Sequence, residues 1–233
     1  MSQELKQSFL EIVALGTIAD AMPREGENEI MIAQGLQSIA NSWRPGIKAF
    51  FRERSFEKYD TSHKTSKLIS LLNIRDVQNQ SPASYRLLTV SSLSEAKSIL
   101  DVLIEKSFER TRKIGETREE IERRIFLGKD IIVFEGDSSW ELILLGSVAS
   151  MISQKYQKPT FLFKMSGKES QGTARTAKGL DLVKAMKSCA KLLESYGGHA
   201  PAAGFRIKNE NLEKFKNCLT EYLKNYEKNN HLY

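Results

Sequence analysis

Cysteine is scarce. The 233 residues hold two, Cys189 and Cys218, in no CxxC pair and in no Cys/His grouping with metal-site spacing. Both fall within helical patterns, so a reduced, cytoplasmic protein is the simplest expectation. Long apolar runs are absent as well. No stretch approaches the roughly 18 unbroken apolar residues of a membrane helix. The opening MSQELKQSFLEIVALG has no basic start followed by a long apolar run, so it does not read as a signal peptide. There is no Walker loop, no Ser/His/Asp arrangement and no zinc spacing, and His63 and His231 stand without chemical company. No internal repeat or low-complexity tract occurs; only the polar ending KNYEKNNHLY is expected to fray.

The chain is 40% hydrophobic and 27% charged, enough to bury a core in one domain or two small ones. Lysine and arginine exceed aspartate and glutamate by 35 to 29, a net charge of +6. That balance favours an anionic partner. Many of the basic residues have acidic neighbours, however, and a solvated charged face has the same composition.

Four regions follow one another. From Met1 to about Ala40, the apolar run Leu10–Ala14 ends at Gly16, the breaker-rich MPREGEN intervenes, and a helical pattern runs from Ile30 through Leu36 and Ile39. From Asn41 to Ser92 the basic residues Arg44, Arg52, Arg54, Lys58, Lys64 and Lys67 mix with Glu53, Glu57 and Asp60. Helical turns fit Ile47–Phe51 and Leu68–Leu72, and DVQNQSPAS reads as an exposed loop. A long helix is expected over about 94–127, with Gly115 as a weak point and TREE, Thr117–Glu120, as a capping-box pattern that can restart it. It serves equally well as a connector between lobes or as a core-covering helix.

The last region alternates strand and helix. DIIVF (130–134), PTFLF (159–163) and Ala202–Ile207 read as strands. Helices are expected after a Ser138/Glu141 capping box, through Leu182, Met186, Cys189 and Leu193 with Gly197-Gly198 as its C-cap, and after a capping Asn209. Strands separated by helices imply an α/β layer structure with a mostly parallel sheet.

Three stretches can carry chemistry. In GGHAPAAGF, 197–205, Gly197 and Gly198 allow a tight turn that exposes N–H groups, His199 adds a donor, and the small residues to Gly204 let a ligand approach. The plainer reading is a helix C-cap leading into a strand, with His199 satisfied by backbone. In SGKESQGTARTAKGLDL, 166–182, Lys168, Arg175 and Lys178, with Lys164 just before, outnumber the acidic residues, and small hydroxyl residues such as Thr173 separate them. That composition suits phosphate contact; a flexible surface loop has it too. In ALGTIADAMP, Asp20 can bind a hard metal ion or simply stabilise its turn.

Together these stretches resemble a known family. EIVALGTIADAMPREGEN with the helix through GLQSI resembles the fourth motif of RecJ-type DHH phosphoesterases. GSVASMISQKYQKPTFLF and GTARTAKGLDLVKAMKSCAKLLESYGGHAPAAGF resemble the DHHA1 domain of the same family. The likeness is strongest at 11–36 and 146–207 and poor over 41–92. It implies a remnant of a DHH domain over 1–92, a connector helix over 93–127, a DHHA1 domain over 128–228 and a disordered tail over 229–233. It further implies that Arg175, Gly197, Gly198 and His199, with Thr173 and Lys178, grip single-stranded DNA or a short oligonucleotide. By the same likeness Asp20 matches a ligand of catalytic Mn2+ or Mg2+.

The paired aspartates and the Asp-His-His motif are missing, NIRDVQNQ replaces an NAAGR-type segment, and Trp140-Glu141 stands where the family has Trp-His. One carboxylate cannot hold two cations. The expectation is therefore the C-terminal half of a RecJ-like 5′–3′ single-stranded-DNA exonuclease of DNA repair and recombination. It would be inactive alone, free of metal, and completed by a separate chain with the DHH motifs that docks on exposed apolar residues of the first 40 positions. The alternatives are a non-catalytic strand-binding module, a fragment of an oligoribonuclease or cyclic-dinucleotide phosphodiesterase, and a decayed remnant without a role.

Overall fold

The computed structural model describes residues 3–125, 130–177 and 179–230. It divides into two compact units, Met1–Glu109 and Arg110–Tyr233. Lys178 and His231 lie outside the described residues.

The first unit is helical. Helices α1 (Gln3–Ala19), α2 (Glu27–Ile39), α3 (Pro45–Phe51), α4 (Thr61–Leu72) and α5 (Ala83–Thr89) surround a core that includes Ile39, Ile47, Phe50, Leu68 and Leu87. Two features hold α1 against α2. Gly35 leaves no room for a side chain, since a Cβ there would sit 2.3 Å from the Leu10 carbonyl oxygen. The buried Glu11 carboxylate accepts from Ser38 Oγ at 2.8 Å and from Ser42 Oγ at 2.6 Å, which satisfies a charge taken out of water. Asp60 caps α4 by accepting from the His63 N–H at 2.9 Å, and Pro45 occupies the first turn of α3, where its missing N–H is harmless.

The stretch DVQNQSPAS is not a plain loop. Val77–Gln78 (β1) and Ser81–Pro82 (β2) pair antiparallel across Asn79 and Gln80, both at positive φ (49° and 62°), the backbone of a tight hairpin turn.

Helix α6 runs unbroken over Leu93–Ile125. Neither Gly115 nor the TREE pattern interrupts it, because a single glycine weakens a helix by only about 1 kcal/mol. Ala96, Leu100 and Leu103 are buried in the first unit's core, and Ile121 is buried in the second's.

The second unit is α/β, as the alternation of elements implies, but its sheet is mixed rather than mostly parallel. Strands β3 (Val133–Asp137), β4 (Thr160–Ser166), β5 (Glu169–Arg175), β6 (Leu193–His199) and β7 (Ala202–Lys208) take the order β3-β4-β5-β7-β6. Only β3 and β4 are parallel, joined through helix α7 (Leu142–Tyr156); the other three pairings are antiparallel. The departure comes from two strands where other structure was expected. ESQGTAR is β5, formed because Gly167 at φ +50° lets the chain reverse after β4. YGGH belongs to β6: helix α8 (Leu182–Ser188) stops early, so Gly197-Gly198 lie within a strand and do not cap a helix.

One sheet face packs the aromatic cluster Phe134, Phe161, Phe163, Phe205 and Phe215 under α8 and α9 (Leu212–Asn230). The polar ending expected to fray is helical through Asn230, and 231–233 lie outside the described residues. Two expected caps are absent. Glu141 precedes α7 without a side-chain cap bond, and Asn209 instead bonds Ser170 Oγ at 2.7 Å and the Gly167 carbonyl at 2.9 Å, tying down the β4–β5 turn. The two cysteines are not reduced: Cys189 and Cys218 form a disulfide, because the end of α8 and the middle of α9 cover the same core.

Candidate nucleic-acid interface

Strand alternation sorts the second unit's sheet into two faces. On β5 the inward residues Ser170, Gly172 and Ala174 are buried, while Gln171, Thr173 and Arg175 face the other way. On β7 the inward residues are Ala203, Phe205 and Ile207, leaving Gly204, Arg206 and Lys208 exposed. Helix α7 covers part of this second face, packing Leu145, Val148, Ala149 and Ile152 with Val133 and Leu162. The β7–β6 side of the face stays exposed.

The register then aligns the candidate residues in rows. Arg175 pairs with Ala202, which pairs with His199. Thr173 pairs with Gly204, which pairs with Gly197. At about 4.8 Å between strands, Arg175 and His199 stand about 10 Å apart at their Cα atoms, on one face. The structure thus brings together Thr173, Arg175, Gly197 and His199. Gly198 sits in the same strand with its position turned to the core side, at φ +140°; a Cβ there would lie 2.4 Å from the Ala202 carbonyl oxygen, so only glycine fits.

Arg175 is held in place. Its Nη1 donates to Thr173 Oγ1 at 2.6 Å and to the Ala174 carbonyl at 2.8 Å, and Thr173 Oγ1 donates onward to the Ala203 carbonyl at 3.3 Å. Gly146 of α7 makes room for the guanidinium: a Cβ there would be 3.0 Å from Nη2. Partial burial pushes the guanidinium pKa down from its ordinary value, yet arginine starts so high that it keeps its charge at neutral pH. Its remaining N–H groups have no protein acceptor among the described residues. The exposed His199 ring likewise forms no hydrogen bond among the described residues, so the plainer reading, a histidine satisfied by backbone, does not hold.

One row along, beside Thr173, the exposed face carries two glycines, Gly204 and Gly197. A Cβ on Gly197 would meet nothing within 4 Å, and one on Gly204 would come no closer than 3.7 Å to any atom, the Gly172 carbonyl oxygen. Protein packing therefore demands glycine at neither position. A glycine pair in adjacent strands that packing does not require leaves the backbone open to close approach by a ligand. The small-residue run to Gly204 suggests close approach in the sequence, and the pairing of β7 with both β5 and β6 sets Gly204 beside Gly197 on the exposed face.

Asp20 belongs to the first unit, exposed just after α1, with its N–H bonded to the Gly16 carbonyl at 3.0 Å. Among the described residues, no three His, Cys, Asp or Glu side chains gather to hold a metal ion. The donors present do not fit a divalent metal centre, so no chemical step is assigned to one.

Comparison with known proteins agrees with the resemblance seen in the sequence. Residues 128–225 match the DHHA1 domain family. The chain is 26% identical over 229 residues to the single-stranded-DNA-specific exonuclease RecJ of Bacillus subtilis, covering 95% of this chain and 29% of that protein. It is 27% identical over 235 residues to RecJ of Escherichia coli, covering 92% of this chain and 40% of that protein. The chain thus spans well under half the length of these curated relatives. The crystal structure of RecJ from Thermus thermophilus in complex with Mg2+ shares the fold, with a TM-score of 0.78 at 24% identity over 93% of this chain and 34% of that one. Residues 128–225 thus match the DHHA1 domain, and the chain as a whole is similar to the C-terminal part of RecJ-type proteins.

Proposed function

We propose that this chain is the strand-holding part of a RecJ-like 5′–3′ single-stranded-DNA exonuclease. Arg175 takes a backbone phosphate, Thr173 orients it, His199 donates from the far side, and the Gly204–Gly197 strip lets the strand lie close to the sheet. The observation that carries this reading is the shared exposed face: a fixed guanidinium with free donors beside two glycines that packing does not require. A charge-assisted bond from a held arginine is among the stronger protein–phosphate contacts. Hydrolysis needs Mn2+ or Mg2+, with ligands beyond those among the described residues, on a segment carrying the DHH motifs in this or a separate chain. Asp20 joins them only in that assembly. Residues 1–92 then correspond to the end of a DHH domain, α6 to a connector, and 128–228 to the DHHA1 module. In α1, Leu5, Phe9 and Val13 expose 42%, 51% and 38% of their surface at a spacing of four, an apolar row suited to docking such a segment. By this reading the protein takes part in DNA repair and recombination; no helix among the described residues is long and apolar enough to cross a membrane.

The test is fluorescence anisotropy of a labelled single-stranded oligonucleotide at low salt. Binding should weaken with salt, and Arg175→Ala should weaken it at least about tenfold, the loss of one charged hydrogen bond. Incubation of the purified chain with Mn2+ should leave the oligonucleotide intact. Absence of binding at low salt, or cleavage by the chain alone, contradicts the proposal.

A further inference from the structure

We infer a second phosphate subsite on the same sheet face, at Lys164, Lys168 and Arg206, for the continuation of a strand held at Arg175. It rests on the strand-binding reading above and extends it to a path and a minimum ligand length.

A cavity of about 540 Å3 opens at this end of the sheet, lined by Lys164, Lys168, Glu169, Gln171, Arg206 and Leu142 among others. That size falls within the roughly 300–1,000 Å3 of small-ligand sites. The register shows why these residues converge. Lys164 pairs with Gln171, which pairs with Arg206, so one row crosses β4, β5 and β7 on the exposed face. It is the next row but one from Arg175, with Thr173–Gly204 between. At about 3.3 Å per residue the two rows lie about 13 Å apart. This exceeds the spacing of adjacent phosphates, so a dinucleotide at Arg175 stops short of the cavity and a longer strand reaches it.

The chemistry suits a phosphodiester. Among the lining residues three cations face one carboxylate, and Asp137, the β3 partner of Lys164, is engaged by Arg124 at 2.8 Å. Glu169 pairs with Arg206 at 2.9 Å, both side chains well exposed, and such pairs are weak enough for a phosphate to compete. Lys164 and Lys168 form no ion pair among the described residues. The cavity also borders the first turn of α7, where Glu141 gives no side-chain cap; unpaired N–H groups at a helix start favour an anion. Leu142 supplies an apolar wall for a sugar or base.

The experiment compares an oligothymidylate dinucleotide and hexanucleotide by anisotropy, with the full 233-residue chain, its Lys164→Ala/Lys168→Ala variant and its Arg206→Gln variant. Thermal melts monitored by circular dichroism confirm that each variant folds. The inference expects the double lysine variant to bind the hexanucleotide about tenfold more weakly and the dinucleotide unchanged. The salt slope for the hexanucleotide should fall by about 1.4, at about 0.7 for each phosphate left without its lysine. Equal affinity of the variants and the parent for the hexanucleotide overturns the subsite, and leaves the Arg175 reading standing if Arg175→Ala still weakens the dinucleotide. Dinucleotide binding indifferent to Arg175→Ala overturns that reading, while a hexanucleotide loss in the lysine variant still supports an anion subsite. If the parent binds neither probe, both fall.

Discussion

Replacing Gly204 with valine separates a packing role from a ligand-contact role. Gly204 sits mid-strand in β7, and its backbone is not in the left-handed region. The nearest atom to an added Cβ is at 3.7 Å, ordinary van der Waals contact, so the first carbon of a side chain fits without rearrangement. Valine also favours the extended backbone that glycine disfavours. The expected effect on folding is a gain of up to about 1 kcal/mol. For a chain this long that raises Tm by about 2–4 °C. The same methyl groups would stand over the Gly204–Gly197 strip, one row from Arg175 and His199, where the strand is proposed to lie. Affinity for a single-stranded oligonucleotide should then fall at least about tenfold, a loss of about 1.4 kcal/mol. Gly197→Val, at an edge-strand position where a Cβ meets nothing, should behave alike. Differential scanning calorimetry and anisotropy on the same samples make the measurement. A variant as stable as the parent that binds DNA equally well refutes the argument that these glycines exist for the ligand.

Three other outcomes follow from the same structure. Thr173→Val, which keeps the shape but removes the hydroxyl that accepts from Arg175, should weaken oligonucleotide binding several-fold while leaving the melt nearly unchanged; an unaltered Kd shows that Arg175 needs no such support. Asp137, hydrogen-bonded to Arg124 at 2.8 Å and to the Ser139 N–H and hydroxyl, has its pKa lowered from 3.8 to about 2. A depressed carboxyl contributes stability above its unfolded pKa and loses it as pH falls through the folded one. Urea midpoints should therefore drop between about pH 4 and pH 2, and Arg124→Gln should flatten that part of the profile; equal profiles for the two proteins contradict the pairing. The Cys189–Cys218 bond closes a loop of 29 residues separation, for which chain entropy gives about 3–4 kcal/mol. Reduction, or Cys218→Ser, should lower Tm by about 10 °C, and thiol titration of the native protein should find no free cysteine.

The candidate site is legible as residues before it is legible as a surface. Arg175 and the GGH run stand out through charge, glycine content and family likeness, and Arg175, Gly197 and His199 lie on the exposed face. Their local geometry does not. ESQGTAR alternates outward Glu169, Gln171, Thr173 and Arg175 with inward Ser170, Gly172 and Ala174, a period-two signal masked by its small polar residues, so it reads as a loop. YGGH reads as a helix end because paired glycines usually cap helices, but β7 recruits it as an edge strand and tertiary pairing overrides propensity. These two hidden strands change a mostly parallel expectation into a mixed sheet. The strongly apolar elements, DIIVF and PTFLF above all, are legible to within a few residues, since buried apolar runs carry their own signal. In the region 41–92 the helical turns at Ile47–Phe51 and Leu68–Leu72 are legible, but the connections are not, because they rest on single interactions such as the Asp60 cap and the Asn79–Gln80 hairpin. The disulfide is hidden because 29 residues of separation say nothing about whether two helices share a core.

Where a strand touches the protein decides between this interface and any other. Titrating the 15N-labelled chain with an oligothymidylate and following amide shifts by NMR reads this directly. The largest shifts should cluster at 171–175, 195–199 and 202–206, on three strands of the exposed face. Shifts confined to the first unit, or to α8 and α9 behind the sheet, would contradict this interface.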